Sequence, residues 1–398
     1  MTSSLQCFNY MKQFRCIGAE CEDTCCKGWN MQVDAAHYNL YQSQAPQLLE
    51  AIVESPVGYV MKRDITTGFC VKYNEGLCKI HSTKGEEFLG DACHFFPRSI
   101  RAMGDGLLVS GALSCPESVR QLLATESPFN LLDTTYDRLP EVQKNYLPTD
   151  MTADGALDIM HVLRNMVMED GVSASRSVAR LAVIAESLDM FGVDKWSEGV
   201  GVMIKTADMR LHTADLNEMD AVNLLHTLSG LIHATGNPAR KRLEDLFAKM
   251  ELLVGIKIDR KTLDIWQTTG REEVFLGAVK CWQKNGTEEQ VAPWLQKWLA
   301  AQLAIAAFPF SGFGKSIQER IMIIGVRLAT LRLALLALMD NNGKIMLEDA
   351  ILAMQTLARF MDHLAEPELS INLYSQAGWN KGARLRALVG DVQGGWPL

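Results

Sequence analysis

The sequence predicts a mainly α-helical protein, with an irregular, cysteine-rich N-terminal region packed on a C-terminal multi-helix domain. Nine of its ten cysteines precede residue 116, in a segment of short apolar pieces separated by turns. From about residue 150 onward, apolar residues recur at helical spacing and prolines are rare. These observations divide the chain into a cysteine-rich region, a connector and an all-helical domain, at residues 1–120, 121–149 and 150–398.

The N-terminal region has few helical periods from which to build a core. Bound metal commonly supplies the cohesion that such a segment lacks. The four prolines that follow permit only short helices, which is typical of a connector; they are Pro116, Pro128, Pro140 and Pro148.

The helical domain begins with the apolar stripe of "ALDIMHVLRNMVMED", where we expect Asp154 to cap the first turn. A second stripe, "SASRSVARLAVIAESLDMFG", ends with Gly192 at the position just past the helix. The glycines of "GVGV" at 199–202 predict a link between two helices. Further helical signals occupy residues 218–236, 238–254, 290–308, 316–340 and 345–365.

Composition excludes several classes of function. The net charge of −8 argues against bulk nucleic-acid binding, which usually requires a basic face. The most apolar stretch, "RIMIIGVRLATLRLALLALM", contains Arg327 and Arg332, each of which would cost about 2.5–3.5 kcal/mol at a bilayer centre. We therefore expect a buried helix and no membrane insertion. The first residues contain no apolar run of signal-peptide length, which predicts a cytoplasmic protein; the oligomeric state is not indicated.

Eight clustered cysteines predict a metal centre, because thiols in a cytosolic chain more often bind metal or do redox chemistry than form disulfides. Zinc ribbons normally pair their ligands as C-x2-C, which this chain lacks. The C-x3-C-x2-C pattern of radical S-adenosylmethionine enzymes matches Cys21 and Cys25, but Gly28 stands where its third cysteine belongs. An iron–sulfur cluster tolerates looser spacing since each sulfur reaches a different iron. The spacing favours a cluster, with zinc as the alternative. The eight residues are Cys16, Cys21, Cys25, Cys26, Cys70, Cys78, Cys93 and Cys115.

The adjacent pair Cys25 and Cys26 limits how these thiols combine. Neighbouring side chains point about 100° apart on a helix and to opposite faces of a strand, so the two are not expected to bind the same metal atom. Eight thiols make either one centre with four spare cysteines or two four-cysteine centres, and both arrangements stay open. Cys7 and Cys281 lie outside the pattern and are predicted to be buried structural residues.

Four stretches of the N-terminal region, "CCKGW", "FC…GLCKIH", "FLGDACHFFPR" and "LSCPE", resemble the flagellin lysine-N-methylase (FliB) family. That family is related to small YkgJ-like proteins described as zinc- or iron-chelating. The resemblance covers residues 7–120, and all eight clustered cysteines match the family's positions. It is weaker over the helical remainder, where "LARFMDHL" at 357–364 resembles an Arg-x-x-His ending.

The resemblance implies an enzyme that transfers methyl groups from S-adenosylmethionine to the ε-amines of flagellin lysines, with a [4Fe–4S] cluster held by cysteines. Composition and spacing alone do not indicate a methyltransferase. The alternatives are a non-catalytic zinc- or iron-chelating protein whose helices form an interaction platform and, less favoured, an electron carrier. The length of the helical scaffold favours the enzyme.

Catalysis would require a base, because a lysine amine with a reference pKa of about 10.4 must lose its proton before it attacks a methylsulfonium. The candidates are Asp34 and His81. Arg98 could pair with the cosubstrate's carboxylate or with the negative charge of a cluster. Aromatic faces attract ammonium and sulfonium groups, although core packing is the favoured role for the nearby aromatic residues, which are Trp29, Phe95 and Phe96.

Two motifs of the helical domain also invite a functional interpretation. "SGFGKS" at 311–316 resembles a phosphate loop, but Pro309 stands where the first glycine belongs, so we predict a helix N-terminus. Arg327 and Arg332 are five residues apart, which separates them by about 140° around a helix. At most one of them is a site candidate.

Overall fold

The chain divides into two compact units, Met1–Asn145 and Tyr146–Leu398. A computed structural model describes residues 5–56, 58–104, 106–140, 147–148, 151–211, 220–234, 241–268, 271–362 and 367–390. Helices dominate these residues, which confirms the prediction of a mainly α-helical protein.

The N-terminal unit combines short helices with short strands. Its helices are α1 (Asn9–Lys12), α2 (Ala35–Gln44), α3 (Lys79–Lys84), α4 (Asp91–Phe95) and α5 (Pro116–Ala124). Its strands are β1 (Leu5–Phe8), β2 (Ile52–Ser55), β3 (Gly58–Met61), β4 (Tyr73–Asn74), β5 (Leu77–Cys78), β6 (Arg98–Met103), β7 (Gly106–Gly111) and β8 (Leu131–Asp133).

A four-stranded mixed sheet, in the order β6-β7-β1-β8, organises one part of this unit. Strand β1 runs parallel to β7, with Cys7 opposite Val109, and antiparallel to β8, with Cys7 opposite Leu132. Cys7 is fully buried at the centre of the sheet, as predicted for a structural thiol. Because β8 lies within residues 121–149, part of the predicted connector is built into this sheet.

A small apolar core forms the other part of the unit. Helix α2 and the hairpins β2–β3 and β4–β5 surround it. Its largest buried side chains include Met31 and Tyr41, and the Tyr41 hydroxyl donates to the carbonyl oxygen of Phe88 at 2.6 Å. Four of the clustered cysteines pack in or against this core.

Over its described residues, the C-terminal unit is helical apart from one hairpin, β9 (Ile256–Ile258) with β10 (Ile265–Gln267). Its helices are α6 (Ala153–Val167), α7 (Ala174–Met190), α8 (Trp196–Arg210), α9 (Asp220–Ala234), α10 (Lys241–Val254), α11 (Arg271–Lys284), α12 (Thr287–Ala306), α13 (Ile317–Leu338), α14 (Leu347–Met361), α15 (Pro367–Gln376) and α16 (Gly382–Val389).

Helix α13 is the core of this unit and contacts α7, α10, α14 and α16. Among the described helices it alone is long and apolar enough to cross a membrane, and 83% of its most apolar window is buried inside the protein. Burial on all sides explains why α13 is apolar around its whole circumference. It begins at Ile317 with Ser316 and Glu319 in a capping box, so "SGFGKS" leads into a helix N-terminus as predicted.

Two local predictions are wrong, and a third is right in position but not in conformation. Thr152, not Asp154, caps α6, since its hydroxyl accepts from the backbone N–H of Gly155. Gly192 stands just past α7, after the C-cap residue Phe191, as predicted, but its φ of −62° gives no left-handed turn. "GVGV" lies inside α8, where tertiary packing overrides the low helix propensity of its glycines.

Candidate metal centre

The eight clustered cysteines all lie in the N-terminal unit, at turns and element ends. Cys16 and Cys21 flank a single 3₁₀ turn, Gly18–Glu20. The others follow along the chain: Cys25 and Cys26 in a turn before Trp29, Cys70 before β4, Cys78 at the end of β5, Cys93 in α4 and Cys115 immediately before α5. Most of the thiols thus lie on irregular backbone, as expected of a segment that bound metal holds together.

Four thiols, those of Cys26, Cys70, Cys78 and Cys93, come together at the small apolar core; we refer to them as the first thiol group. The backbone N–H of Cys70 donates to the carbonyl oxygen of Cys26 at 2.8 Å. Burial raises the pKa of the Cys93 thiol well above its usual value, and the charges of Cys26, Cys78 and Cys70 raise it further. Four segments distant in sequence therefore converge on one place.

Backbone N–H groups lie against two of these sulfurs. Burial raises the pKa of Cys70 to about 11, while the N–H of Lys72 acts in the opposite direction. Burial also raises the pKa of Cys78, opposed by the N–H groups of His81 and Ile80 at the start of α3. An N–H directed at sulfur favours the thiolate, which is the form that binds metal.

The spacing of the donor atoms distinguishes between metals. Among the described cysteine, histidine, aspartate and glutamate residues, three donors within 4.8 Å of one another occur only at Asp34, His37 and Asp91. Around one zinc ion, with Zn–S bonds of about 2.3 Å, four tetrahedral sulfurs would stand about 3.8 Å apart. The thiols of the first group are spread more widely than that, whereas in a cluster each sulfur binds a separate iron.

The other three donors belong to a hydrogen-bonded network instead. Asp34 caps α2 by accepting from the His37 backbone N–H at 3.0 Å, and it also accepts from His37 Nδ1 at 2.7 Å and the Asp91 N–H at 2.8 Å. Arg138 donates from Nη1 to His37 Nε2 at 2.7 Å and lies 3.5 Å from the Asp91 carboxylate. The guanidinium thus provides the positive charge that balances this acidic cluster.

This network makes Asp34 a weak base. Burial raises the pKa of Asp34, but the hydrogen bonds from His37 and Asp91 outweigh it and hold the pKa well below its usual range. The spacing Asp34-x-x-His37 is an N-cap signal, but nothing in the sequence indicates that Asp91 and Arg138 join it.

The other base candidate, His81, has an exposed side chain one turn after Cys78, on α3. Arg98 lies in β6, with its guanidinium carbon 5.1 Å from the ring centre of Phe14 and 5.7 Å from that of Tyr136. Its Nη2 donates to the Phe14 carbonyl oxygen at 3.3 Å. These contacts hold the Arg98 guanidinium against Phe14 and Tyr136.

The aromatic candidates pack within the unit. Trp29 lies 5.8 Å from Phe96 between ring centres, and its indole N–H donates to the Cys25 carbonyl oxygen at 2.6 Å. Phe95 is buried beneath the guanidinium of Arg138. Core packing, the favoured prediction for these rings, accounts for their contacts.

In the C-terminal unit, the two arginines of α13 considered as site candidates, Arg327 and Arg332, have structural partners. Arg332 is 2% exposed and forms a two-pronged ion pair with Glu288, at 3.0 Å for each pair of atoms. Arg327 donates to the Met361 carbonyl oxygen at 2.9 Å and lies 2.8 Å from the Asp362 carboxylate. The two side chains thus reach different neighbours, as their helical separation requires. "LARFMDHL" runs through the end of α14, and its last two residues lie outside the described residues.

Comparison with known proteins gives three distant similarities. Two are lysine-N-methylases, from Salmonella typhimurium and Salmonella choleraesuis, each 25% identical over 136 residues. The third is the flagellar biosynthetic protein FliU of Salmonella muenchen, 26% identical over 124 residues, which are 29% of this chain and 73% of FliU. The chain spans about a third of the length of the two methylases, and the matched part is 32% of its own length. No family model and no solved structure matches it.

Proposed function

We propose that this protein is an S-adenosylmethionine-dependent protein lysine N-methyltransferase that acts on flagellin in the cytoplasm. The similarity to two proteins named lysine-N-methylase carries the proposal. The flagellar name of the third relative supports a flagellar substrate.

We further propose that the first thiol group holds a [4Fe–4S] cluster. Two observations support this: four thiols converge at one apolar core, and no three of them lie within the spacing that a single zinc ion requires. Bound there, the cluster would join four segments of the chain and supply a redox-active centre. The surrounding Met31, Tyr41 and Leu89 are buried and would keep water from it.

Methyl transfer needs a neutral lysine amine whose lone pair attacks the methyl carbon as the carbon–sulfur bond breaks. We assign His81 as the acceptor of the amine proton. Its imidazole is exposed and lies one turn after Cys78, and histidine is the side chain most often used as a general base. Asp34, the other candidate, is engaged as the cap of α2.

The test is transfer of a deuterated methyl group. Anaerobically purified protein is incubated with flagellin and S-adenosylmethionine labelled in its methyl group, and flagellin peptides are analysed by mass spectrometry. We expect labelled methyl on lysine, a reduced rate with His81→Ala, and an unchanged rate with His233→Ala, a matched histidine in the other unit. Bound metal without labelled lysine would favour the chelating alternative and overturn the proposed activity.

A further inference from the structure

Three thiols outside the first group meet at the start of α5; we refer to Cys16, Cys21 and Cys115 as the second thiol group. Cys115 is the residue before α5 and is 8% exposed, while Cys21 is half-buried and Cys16 is exposed. Burial raises the pKa of Cys115 to about 12, and Cys21 and Cys16 lie close enough to raise it further. Burial likewise raises the pKa of Cys21, and Cys16 lies close enough to add to it.

An ion-pair network joins the two segments that carry these thiols. Arg120, on α5, donates from Nη2 to the carboxylate of Glu22 at 2.8 Å and from Nη1 to the carboxylate of Glu117. Glu22 adjoins Cys21, and Glu117 lies in the first turn of α5 beside Cys115. The contacts with Arg120 therefore hold the loop that contains Cys21 against the helix end that contains Cys115.

Backbone N–H groups are directed at the three sulfurs. The Gly18 N–H donates to Cys16 Sγ at 3.4 Å. Burial raises the pKa of Cys21 and Cys115, and backbone N–H groups oppose it: that of Asp23 at Cys21, and those of Glu117 and Ser118, in the first turn of α5, at Cys115. The first thiol group shows the same arrangement at Cys70 and Cys78.

We infer that the second thiol group is a separate metal centre, in which Cys16, Cys21 and Cys115 hold an iron–sulfur cluster. Like the thiols of the first group, these three sulfurs do not all lie within 4.8 Å of one another, which is too far for a single zinc ion, whereas in a cluster each sulfur binds a separate iron. The two groups lie at different elements. Cys26, Cys70, Cys78 and Cys93 pack in or against the small apolar core, which includes none of the second group. Cys115 precedes α5, and Arg120 on that helix holds the segment that contains Cys21.

The inference goes beyond methyl transfer, and metal content tests it without an activity assay. Anaerobically purified Cys115→Ser, Cys21→Ser and Cys93→Ser proteins are compared with wild type for iron, zinc and acid-labile sulfide per chain. Cys7→Ser is the matched control, because Cys7 is a fully buried thiol of the same unit outside both groups. Circular dichroism confirms that each compared variant is folded.

Two centres predict partial and complementary losses. Cys115→Ser and Cys21→Ser should each lose the same share of metal, and Cys93→Ser should lose the remaining share. Combining Cys115→Ser with Cys93→Ser should remove nearly all of it. Loss of iron together with acid-labile sulfide from Cys115→Ser supports a cluster at the second centre, whereas loss of zinc alone would overturn it. Wild-type metal content in folded Cys115→Ser and Cys21→Ser would overturn the inference, as would loss of all metal from folded Cys93→Ser alone.

Discussion

Replacing Asp34 with alanine should destabilise the N-terminal unit without removing a catalytic group. Asp34 accepts three hydrogen bonds, two from His37 and one from Asp91, and its side chain is 13% exposed. Loss of a helix cap costs about 0.5–2 kcal/mol, and each buried donor left unpaired costs about 1–3 kcal/mol. Since water can reach part of the site, we expect the free energy of unfolding to fall by about 3 kcal/mol.

Asparagine at position 34 separates the charge from the cap. Asp34→Asn keeps an oxygen for the His37 N–H but loses the negative charge. The pKa of Asp34 is lower in the folded than in the unfolded protein, where it is about 3.9, so the charge contributes its full stability above about pH 4. That contribution is lost as the pH falls towards the folded-state pKa. The stability gap between wild type and Asp34→Asn should therefore narrow below pH 4.

Urea unfolding followed by circular dichroism measures both effects, at pH 7 and at pH 3.5. Methyl transfer per folded molecule, measured under conditions where both proteins are folded, should be nearly equal for wild type and Asp34→Asn. If Asp34→Ala unfolded at the wild-type urea concentration but transferred no methyl groups, Asp34 would be a base and the capping argument would be refuted.

Two further predictions concern the buried ion pair and the thiols. Glu288→Ala should lower the free energy of unfolding by about 3–5 kcal/mol, because it leaves the buried charge of Arg332 without its carboxylate. In the same urea assay, Arg332→Met combined with Glu288→Leu should recover most of that loss. Equal losses in both proteins would contradict the role of the pair. Metal binding should release protons, because burial raises the pKa of Cys70 to about 11 and that of Cys115 to about 12. The affinity for cobalt should therefore rise about tenfold or more per pH unit between pH 6 and 8. Sulfur-to-metal absorbance measures that affinity. An affinity independent of pH would show that the thiols are already ionised without metal.

The sequence predicts the helices whose apolar stripes face a core, because a spacing of 3.6 residues is a local signal. The stripes around α6, α7, α10, α12, α13 and α14 all correspond to helices. The four-stranded sheet is not predicted, because β1 is four residues long and pairs with β7, about a hundred positions away. Partners at that distance are set by tertiary packing, which single-strand patterns do not report.

For the candidate site, the sequence supplies the thiols but not their grouping. Geometry requires only that Cys25 and Cys26 point apart; the fold brings Cys26 to Cys70, Cys78 and Cys93. For Asp34, the sequence identifies the residue but not its role, since a carboxylate near the cysteines fits both a base and a helix cap. The choice depends on its contacts with His37 and Asp91, which only the structure provides.

We propose that methyl transfer by this protein depends on the metal centre held by the first thiol group. Mass spectrometry of flagellin incubated with labelled S-adenosylmethionine tests it most directly, using wild type, Cys93→Ser and Cys281→Ser. Cys281 lies in the other unit, half-buried, and accepts from Asn285 Nδ2 at 3.2 Å, so its substitution should leave both metal and methylation unchanged. The account predicts methylated lysine with wild type and Cys281→Ser, and loss of the first centre's metal together with methylation in Cys93→Ser. Undiminished methylation by a folded Cys93→Ser protein that has lost this metal would contradict it.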